Sequence, residues 1–264
     1  MGKWTIDRIQ KGKGREKLAC LTAYDYSMAR IADETGMALL LVGDSLAMTM
    51  LGHANTLPVT VDEMLHHAKA VVRGVQQALV VADLPFLSYE ASPQQAWLTA
   101  GRFIKEGGAD AVKIEGGALR APTVRMLADN GIPVLGHIGL TPQRVHQTSG
   151  YKVQGRSDQD AEQLMRDAAA LEEAGVFALV IECVPAALSA RITQAVAVPT
   201  IGIGAGPACD GQILVIHDML GLYAEKTAKF VKQYADLGSE MRRALGTYRQ
   251  EVEQGAFPSA SHSY

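Results

Sequence analysis

Eight short apolar runs recur along the chain, and between them the polarity switches to a helical period. The runs are Leu18–Thr22, Ala38–Val42, Ala78–Ala82, Ala111–Ile114, Pro133–Gly136, Ala178–Ile181, Pro199–Ile203 and Gln212–Ile216. Most are apolar throughout instead of alternating, which is how a parallel strand reads when both its faces are buried. Thr60-Val61-Asp62-Glu63 has the pattern of a capping box, as does Ser157-Asp158-Gln159-Asp160 if Asp is accepted at the third helical position. Ser92-Pro93 sets a capping serine before a proline at the first helical position. The pattern predicts helices over 25–35, 61–74, 93–107, 120–130, 158–174, 186–196 and 225–253, with Gly36, Gly131 and Gly175 just beyond three of the ends.

Eight strand–helix units in 264 residues predict a (β/α)₈ TIM barrel, one domain over 1–264 with a C-terminal helix and a short loose tail from Gly255 to Tyr264. The competing arrangement is an open doubly wound sheet, which needs a topological switch point. Two connections exceed the usual few residues, Gly43 to Pro58 and Ile138 to Arg156. Both follow strands, so both fall on the face where barrel active sites form.

Composition narrows the function classes. The chain is 48% hydrophobic and 20% charged with a formal net charge of −3, so nothing electrostatic points to nucleic acid or an anionic membrane as partner. Cys20, Cys183 and Cys209 are widely spaced and form no C-x-x-C, which argues against a disulfide framework or a zinc site and suits a reducing compartment. The segment Met1 to Lys17 is basic but has no apolar stretch of a secretory signal, and no apolar run is long enough to span a bilayer. The expectation is a cytoplasmic protein.

The charges sit where the apolar runs stop. Asp44, Asp83, Glu115 and Glu182 each close a different predicted strand, and Lys113 lies two residues before Glu115, on the same strand face. In a barrel these C-terminal ends converge on one mouth. Clustered carboxylates repel unless a cation neutralises them or one takes a proton. A hard divalent ion with oxygen ligands resolves the conflict, and magnesium keeps water or substrate oxygens beside one or two carboxylates.

Other residues remain open at this level. His137 ends the fifth strand, either as a structural histidine or as part of the site. Ser45 is placed either to bind a carboxylate through its hydroxyl or to cap the following turn. His66 and His67 fall within a helix and are expected to be solvated; the cysteines and the Met48/Met50 pair are expected to pack. Gly202-Ile203-Gly204-Ala205-Gly206 lacks the spacing of a dinucleotide fingerprint. After a seventh barrel strand it is better suited to bind an anion or let a substrate approach the backbone.

The ordered blocks Thr22-Ala23-Tyr24-Asp25, Val42-Gly43-Asp44-Ser45-Leu46, Thr56-Leu57-Pro58-Val59-Thr60, Ala82-Asp83-Leu84-Pro85-Phe86, Val112-Lys113-Ile114-Glu115-Gly116-Gly117, Gly136-His137-Ile138-Gly139-Leu140-Thr141-Pro142, Gly150-Tyr151-Lys152-Val153-Gln154-Gly155, Ile181-Glu182-Cys183-Val184-Pro185, Ile201-Gly202-Ile203-Gly204-Ala205-Gly206 and Asp210-Gly211-Gln212 resemble the ketopantoate hydroxymethyltransferase family. One departure is Ala47, where the family pattern has glycine after Asp-Ser-Leu. The resemblance implies a barrel related to the phosphoenolpyruvate mutase and isocitrate lyase barrels. It implies transfer of a hydroxymethyl group from methylenetetrahydrofolate to 3-methyl-2-oxobutanoate, giving 2-dehydropantoate on the route to pantothenate and coenzyme A. By the same resemblance Asp44 and Asp83 hold magnesium, one per subunit, with Glu115 in or near its shell. Ser45 and Lys113 bind the oxo acid, with Asp44, Asp83 and His137 also bordering it, and Glu182 accepts the proton. A homo-oligomer, a decamer built from dimers, is implied as well.

The chemistry asks for such groups. A proton beside a ketone is too weakly acidic for a carboxylate alone, so magnesium and Lys113 must stabilise the enolate that Glu182 generates. The main enzymatic alternative is a phosphoenolpyruvate mutase-type lyase, which would ordinarily carry a lysine–cysteine–glycine loop motif that the sequence lacks. The non-enzymatic alternative is a barrel kept as a scaffold, its carboxylates incidental.

Overall fold

Side chains along a strand alternate between two faces, and here one alternate series fills the interior of a closed barrel. The computed structural model describes residues 2–148, 150–222 and 228–264. Eight strands run β1 Leu18–Thr22, β2 Leu39–Val42, β3 Leu79–Asp83, β4 Ala111–Glu115, β5 Val134–Gly139, β6 Ala178–Glu182, β7 Thr200–Ile203 and β8 Gly211–Leu214. Each pairs in parallel with the next, and β8 returns to β1 with Leu18 opposite Gly211, so the sheet closes and the open-sheet alternative falls away. Leu39, Leu41, Leu79, Val81, Ala111, Leu135, Val180, Ile201 and Ile213 form the interior core. Their neighbours Leu40, Val80, Val112 and Leu179 are buried too, which is why the runs read as continuous.

The helices lie between the strands as the pattern predicts: Tyr26–Glu34, Val61–Gly74, Pro93–Lys105, Ala121–Asp129, Asp158–Ala174 and Ala186–Ala195. The Thr60 capping box is fully formed with Glu63. At Ser157 only half of it forms. Its oxygen accepts the Asp160 N–H, but the shorter Asp160 carboxylate takes the Ser157 hydroxyl at 2.7 Å in place of the capping N–H. A helix the pattern does not announce, Ile6–Lys11, carries Ile9 fully buried into the core cluster.

The chain divides into two compact units, Met1–Val215 with the barrel and Ile216–Tyr264. In the second unit the long helix is Leu237–Glu253, so the predicted start at 225 is corrected; residues 225–227 lie outside the described residues. Tyr234 donates its N–H to Met219 O, and Leu237 and Gly238 donate theirs to Leu220 O and Gly221 O. The backbone before Leu237 therefore bonds to the turn after Ile216–Met219, and Asp236 caps the helix through Ser239 N. The strand predicted to run to Ile216 stops at Leu214, because Ile216 opens that short helix. The tail is less loose than its composition suggests, since Phe257 packs on Tyr248 and His262 with ring centroids 5.6 and 5.3 Å away.

Candidate active site

The interior series of side chains continues past the apolar core and becomes polar at the C-terminal mouth. On β3 it runs Leu79, Val81, Asp83; on β4 Ala111, Lys113, Glu115; on β5 Leu135, His137; on β6 Ala178, Val180, Glu182. Strand register then sets Asp83 opposite Lys113 and Glu115 opposite His137. Asp44 stands two residues beyond β2, after a glycine that close packing demands: a Cβ on Gly43 would meet Ser45 Oγ at 2.9 Å and Asp83 Oδ2 at 3.6 Å. Gly139, at φ +93°, is a second such position, where a Cβ would collide with the Glu182 carbonyl. All of the predicted site residues, Asp44, Ser45, Asp83, Lys113, Glu115, His137 and Glu182, line one cavity of about 140 Å³.

The contacts form two linked groups. In the first, Asp83 accepts the Asp44 N–H at 2.9 Å on Oδ2 and faces Lys113 Nζ at 2.9 Å on Oδ1, while Lys113 also stands 3.6 Å from Glu115. In the second, His137 lies between two carboxylates, with Nδ1 3.5 Å from Glu115 Oε1 and Nε2 3.3 Å from Glu182 Oε2. The Glu182 side chain is 16% exposed against 2–5% for Asp83, Lys113, Glu115 and His137. Glu182 is thus the carboxylate of this group that reaches furthest toward the opening.

Burial and charge act against each other here. Burial pushes the Asp44 carboxyl well above the ordinary aspartate value, and the charges of Asp83 and Glu115 push it further. Burial also disfavours the Lys113 ammonium, but Asp83, Glu115 and Asp44 outweigh it and hold the lysine charged. Burial would raise Glu115, and Lys113 and His137 bring it below its usual range. Burial and Lys113 lower His137, yet Glu115 and Glu182 win and push it up to about 9.

The donor set fits a hard divalent cation. Three buried carboxylates face one lysine, and a dication beside Asp44 and Asp83 would relieve the repulsion that raises Asp44. Among the described residues no three His, Cys, Asp or Glu side chains are grouped as a ready-made ligand set. Two carboxylates with water and substrate oxygens are what magnesium ordinarily uses.

Residues that the sequence did not single out complete the site. Gln143, buried in the connection after β5, donates through Nε2 to Asp44 Oδ2 and Leu84 O and through its N–H to Glu115 Oε2. Its Oε1 accepts the Tyr89 hydroxyl at 2.6 Å. Ser45 Oγ lies 2.8 Å from Tyr24 OH and makes no capping bond, although the residue opens the short helix Leu46–Thr49. His67 is not simply solvated: its Nδ1 meets Tyr24 O at 2.6 Å, while His66 is exposed. Ala47 is buried in the right-handed turn of Leu46–Thr49, where glycine has no conformational advantage. Ile203, from the glycine-rich segment after β7, lines the cavity; the Ala205 and Gly206 carbonyls of that segment are taken by Ser189 Oγ and Gln212 Nε2.

Comparison with known proteins identifies the family. A family model described as ketopantoate hydroxymethyltransferase matches residues 3–260. The chain belongs to the ketopantoate hydroxymethyltransferase family. The 3-methyl-2-oxobutanoate hydroxymethyltransferase of Moorella thermoacetica is 59% identical over 261 residues, covering 98% of this chain and 97% of that protein. Among solved structures, 2,3-dimethylmalate lyase, described as a member of the PEP mutase/isocitrate lyase superfamily, is 16% identical with a TM-score of 0.60, covering 95% of this chain and 86% of that one. Phosphonopyruvate hydrolase, solved with oxalate and Mg++, is 13% identical with a TM-score of 0.60, covering 98% and 93%. At these identities the two structures bear on the fold alone.

Proposed function

We propose that this protein transfers a hydroxymethyl group from methylenetetrahydrofolate to 3-methyl-2-oxobutanoate, yielding 2-dehydropantoate. The observation that carries this reading is the juxtaposition, on one mouth, of the Asp44–Asp83–Lys113 group and the Glu182 carboxylate. Asp44 and Asp83 would hold magnesium, one per subunit, with Glu115 in or near its shell, where it faces Lys113 and His137 and accepts the Gln143 N–H. When bound, magnesium supplies positive charge to the oxo and carboxylate oxygens of the substrate and so acidifies its C3–H.

The side chains do the rest. Lys113 adds a fixed positive charge beside the oxygens where negative charge develops, and its burial makes that charge effective. Ser45, next to Asp44, donates to the acid while its oxygen accepts the Tyr24 hydroxyl 2.8 Å away. Glu182 takes the C3 proton, and its greater exposure suits a group that must reach the substrate. His137 braces the Glu182 carboxylate against Glu115 and borders the oxo acid. Leu41, Met48, Val180 and Ile213 supply apolar wall for the isopropyl group. The folate then meets the nucleophilic carbon from the open side.

The direct test is proton NMR of 3-methyl-2-oxobutanoate in heavy water with protein and magnesium. Loss of the C3 proton signal is expected; a signal that persists would refute proton abstraction and leave a scaffold. A homo-oligomer, a decamer by family likeness, and a cytoplasmic location complete the proposal. Exposed Trp97, Leu98, Met241, Leu245 and Tyr248 provide apolar surface for subunit contacts, and light scattering measures the mass. Among the described residues no helix is long and apolar enough to cross a membrane.

A further inference from the structure

Thr56 lies in the long connection after β2, and it lines the same cavity as Asp44, Lys113 and Glu182. The local sequence explains its position. Asn55 Oδ1 accepts the Leu57 N–H at 3.0 Å, which folds Asn55-Thr56-Leu57 into a tight turn with Thr56 at its centre. Pro58 and the Thr60 capping box then fix the far end of the loop to the helix Val61–Gly74. Thr56 is only 2% exposed, yet its Oγ1 has no hydrogen-bond partner among the described residues.

A buried hydroxyl without a partner opposes folding, and valine would fill the same space without that cost. Ser45 Oγ, by contrast, has a partner in the Tyr24 hydroxyl. Thr56 keeps its donor uncommitted, on the wall of a cavity whose Lys113 and carboxylates suit an anionic ligand held with a cation. A neutral donor gains most against a charged oxygen.

We propose that Thr56 is a substrate-binding residue whose hydroxyl donates to a carboxylate oxygen of the bound 2-oxo acid. The assignment rests on the function proposed above and adds a contact to it. With the acid end held by Thr56, rotation of the substrate about its C1–C2 bond is restricted, and C3 is kept facing Glu182.

The test is calorimetric titration of 3-methyl-2-oxobutanoate into the magnesium-loaded wild type, Thr56→Val and Thr56→Ser, with the Tm of each ligand-free protein. Thr56→Val is expected to lose roughly 10- to 100-fold in affinity, with a ligand-free Tm at or above that of the wild type. Thr56→Ser, which keeps the hydroxyl, should bind within a few-fold of the wild type. Equal affinity of wild type and Thr56→Val overturns the assignment. So does a Thr56→Ser protein as weak as Thr56→Val, which would trace the effect to the methyl group, or a Thr56→Val protein whose Tm falls, which would make the hydroxyl structural. Absence of uptake by the wild type would instead remove the underlying function, and Thr56's part in it with it.

Discussion

Gln143 Nε2 donates a hydrogen bond of 2.9 Å to Asp44 Oδ2, joining residues 99 positions apart. The same amide group bonds Leu84 O, and the amide oxygen accepts from Tyr89. Gln143 therefore has a fixed orientation, and it holds one Asp44 oxygen while leaving the other for a cation. Groups that orient a metal ligand typically contribute 10- to 100-fold to metal affinity. Gln143→Leu is expected to weaken magnesium binding by about that factor in calorimetry. Unchanged affinity would show that Asp44 is oriented without it.

Asp83 has a different task, because its two oxygens serve the Asp44 N–H and Lys113. Asp83→Asn keeps the shape and removes the charge, while Asp83→Ala removes both. Both variants are expected to lose detectable magnesium uptake and turnover, with the fold retained in circular dichroism. Normal activity of Asp83→Ala at low magnesium would contradict its role as a ligand.

How legible each part was depends on periodicity. All eight strands are marked by continuous apolar runs, and Asp83, Lys113, Glu115, His137 and Glu182 follow from carrying the period of two to the strand ends. Asp44 lies beyond β2, but a carboxylate so near a buried strand is conspicuous. Gln143, Tyr89 and Thr56 are uncharged polar residues in connections, where no repeat fixes which way a side chain faces. Their partners come from the tertiary path alone: Gln143 reaches β2, β3 and β4 from the loop after β5. The helix Ile6–Lys11 is not legible because six residues hold too little of the 3.6 period. The start of the last helix is not legible because the chain at Leu237 and Gly238 bonds to the turn at Leu220 and Gly221, which composition does not reveal.

Lys113 is buried between Asp83 and Glu115. A charge-assisted hydrogen bond is worth roughly 1.5–3 kcal/mol, so Lys113→Ala should lose about ten- to a hundredfold or more in kcat/KM. Slowed C3 proton exchange at saturating oxo acid would separate this from simple loss of affinity. Unchanged kinetics would reduce Lys113 to a neutraliser of Glu115.

Asp210 connects the N-terminal segment to β7. It accepts from Lys13 Nζ at 2.8 Å, Gly14 N at 3.1 Å and Thr200 N at 2.8 Å. Burial favours its neutral form, but Lys13 and these N–H donors outweigh it and hold the carboxyl below the ordinary aspartate value. A group with a depressed folded-state pKa stabilises the fold above its unfolded pKa, about 3.9 for aspartate. That contribution is lost as pH falls through the lower, folded value. Asp210→Asn should therefore lower Tm at neutral pH, and its gap from the wild type should narrow below about pH 4. A gap that stays constant from neutral pH into that range would show that the Asp210 charge does not matter.

Glu182 is assigned as the base, and its surroundings define the test. His137 stands 3.3 Å away, its pKa pushed up to about 9 between Glu115 and Glu182. That histidine keeps the carboxylate aimed, while the partial exposure of Glu182 leaves the rest of it free to meet C3. Replacement by glutamine keeps size and hydrogen-bonding reach but removes basicity. General-base catalysis typically contributes 10²–10⁴-fold, so Glu182→Gln should slow C3 proton exchange by about that much. Magnesium and oxo-acid uptake should persist, because Asp44, Asp83 and Lys113 are untouched. Loss of uptake together with exchange would instead make Glu182 a binding residue. Exchange at the wild-type rate with both ligands bound would rule out Glu182 as the base.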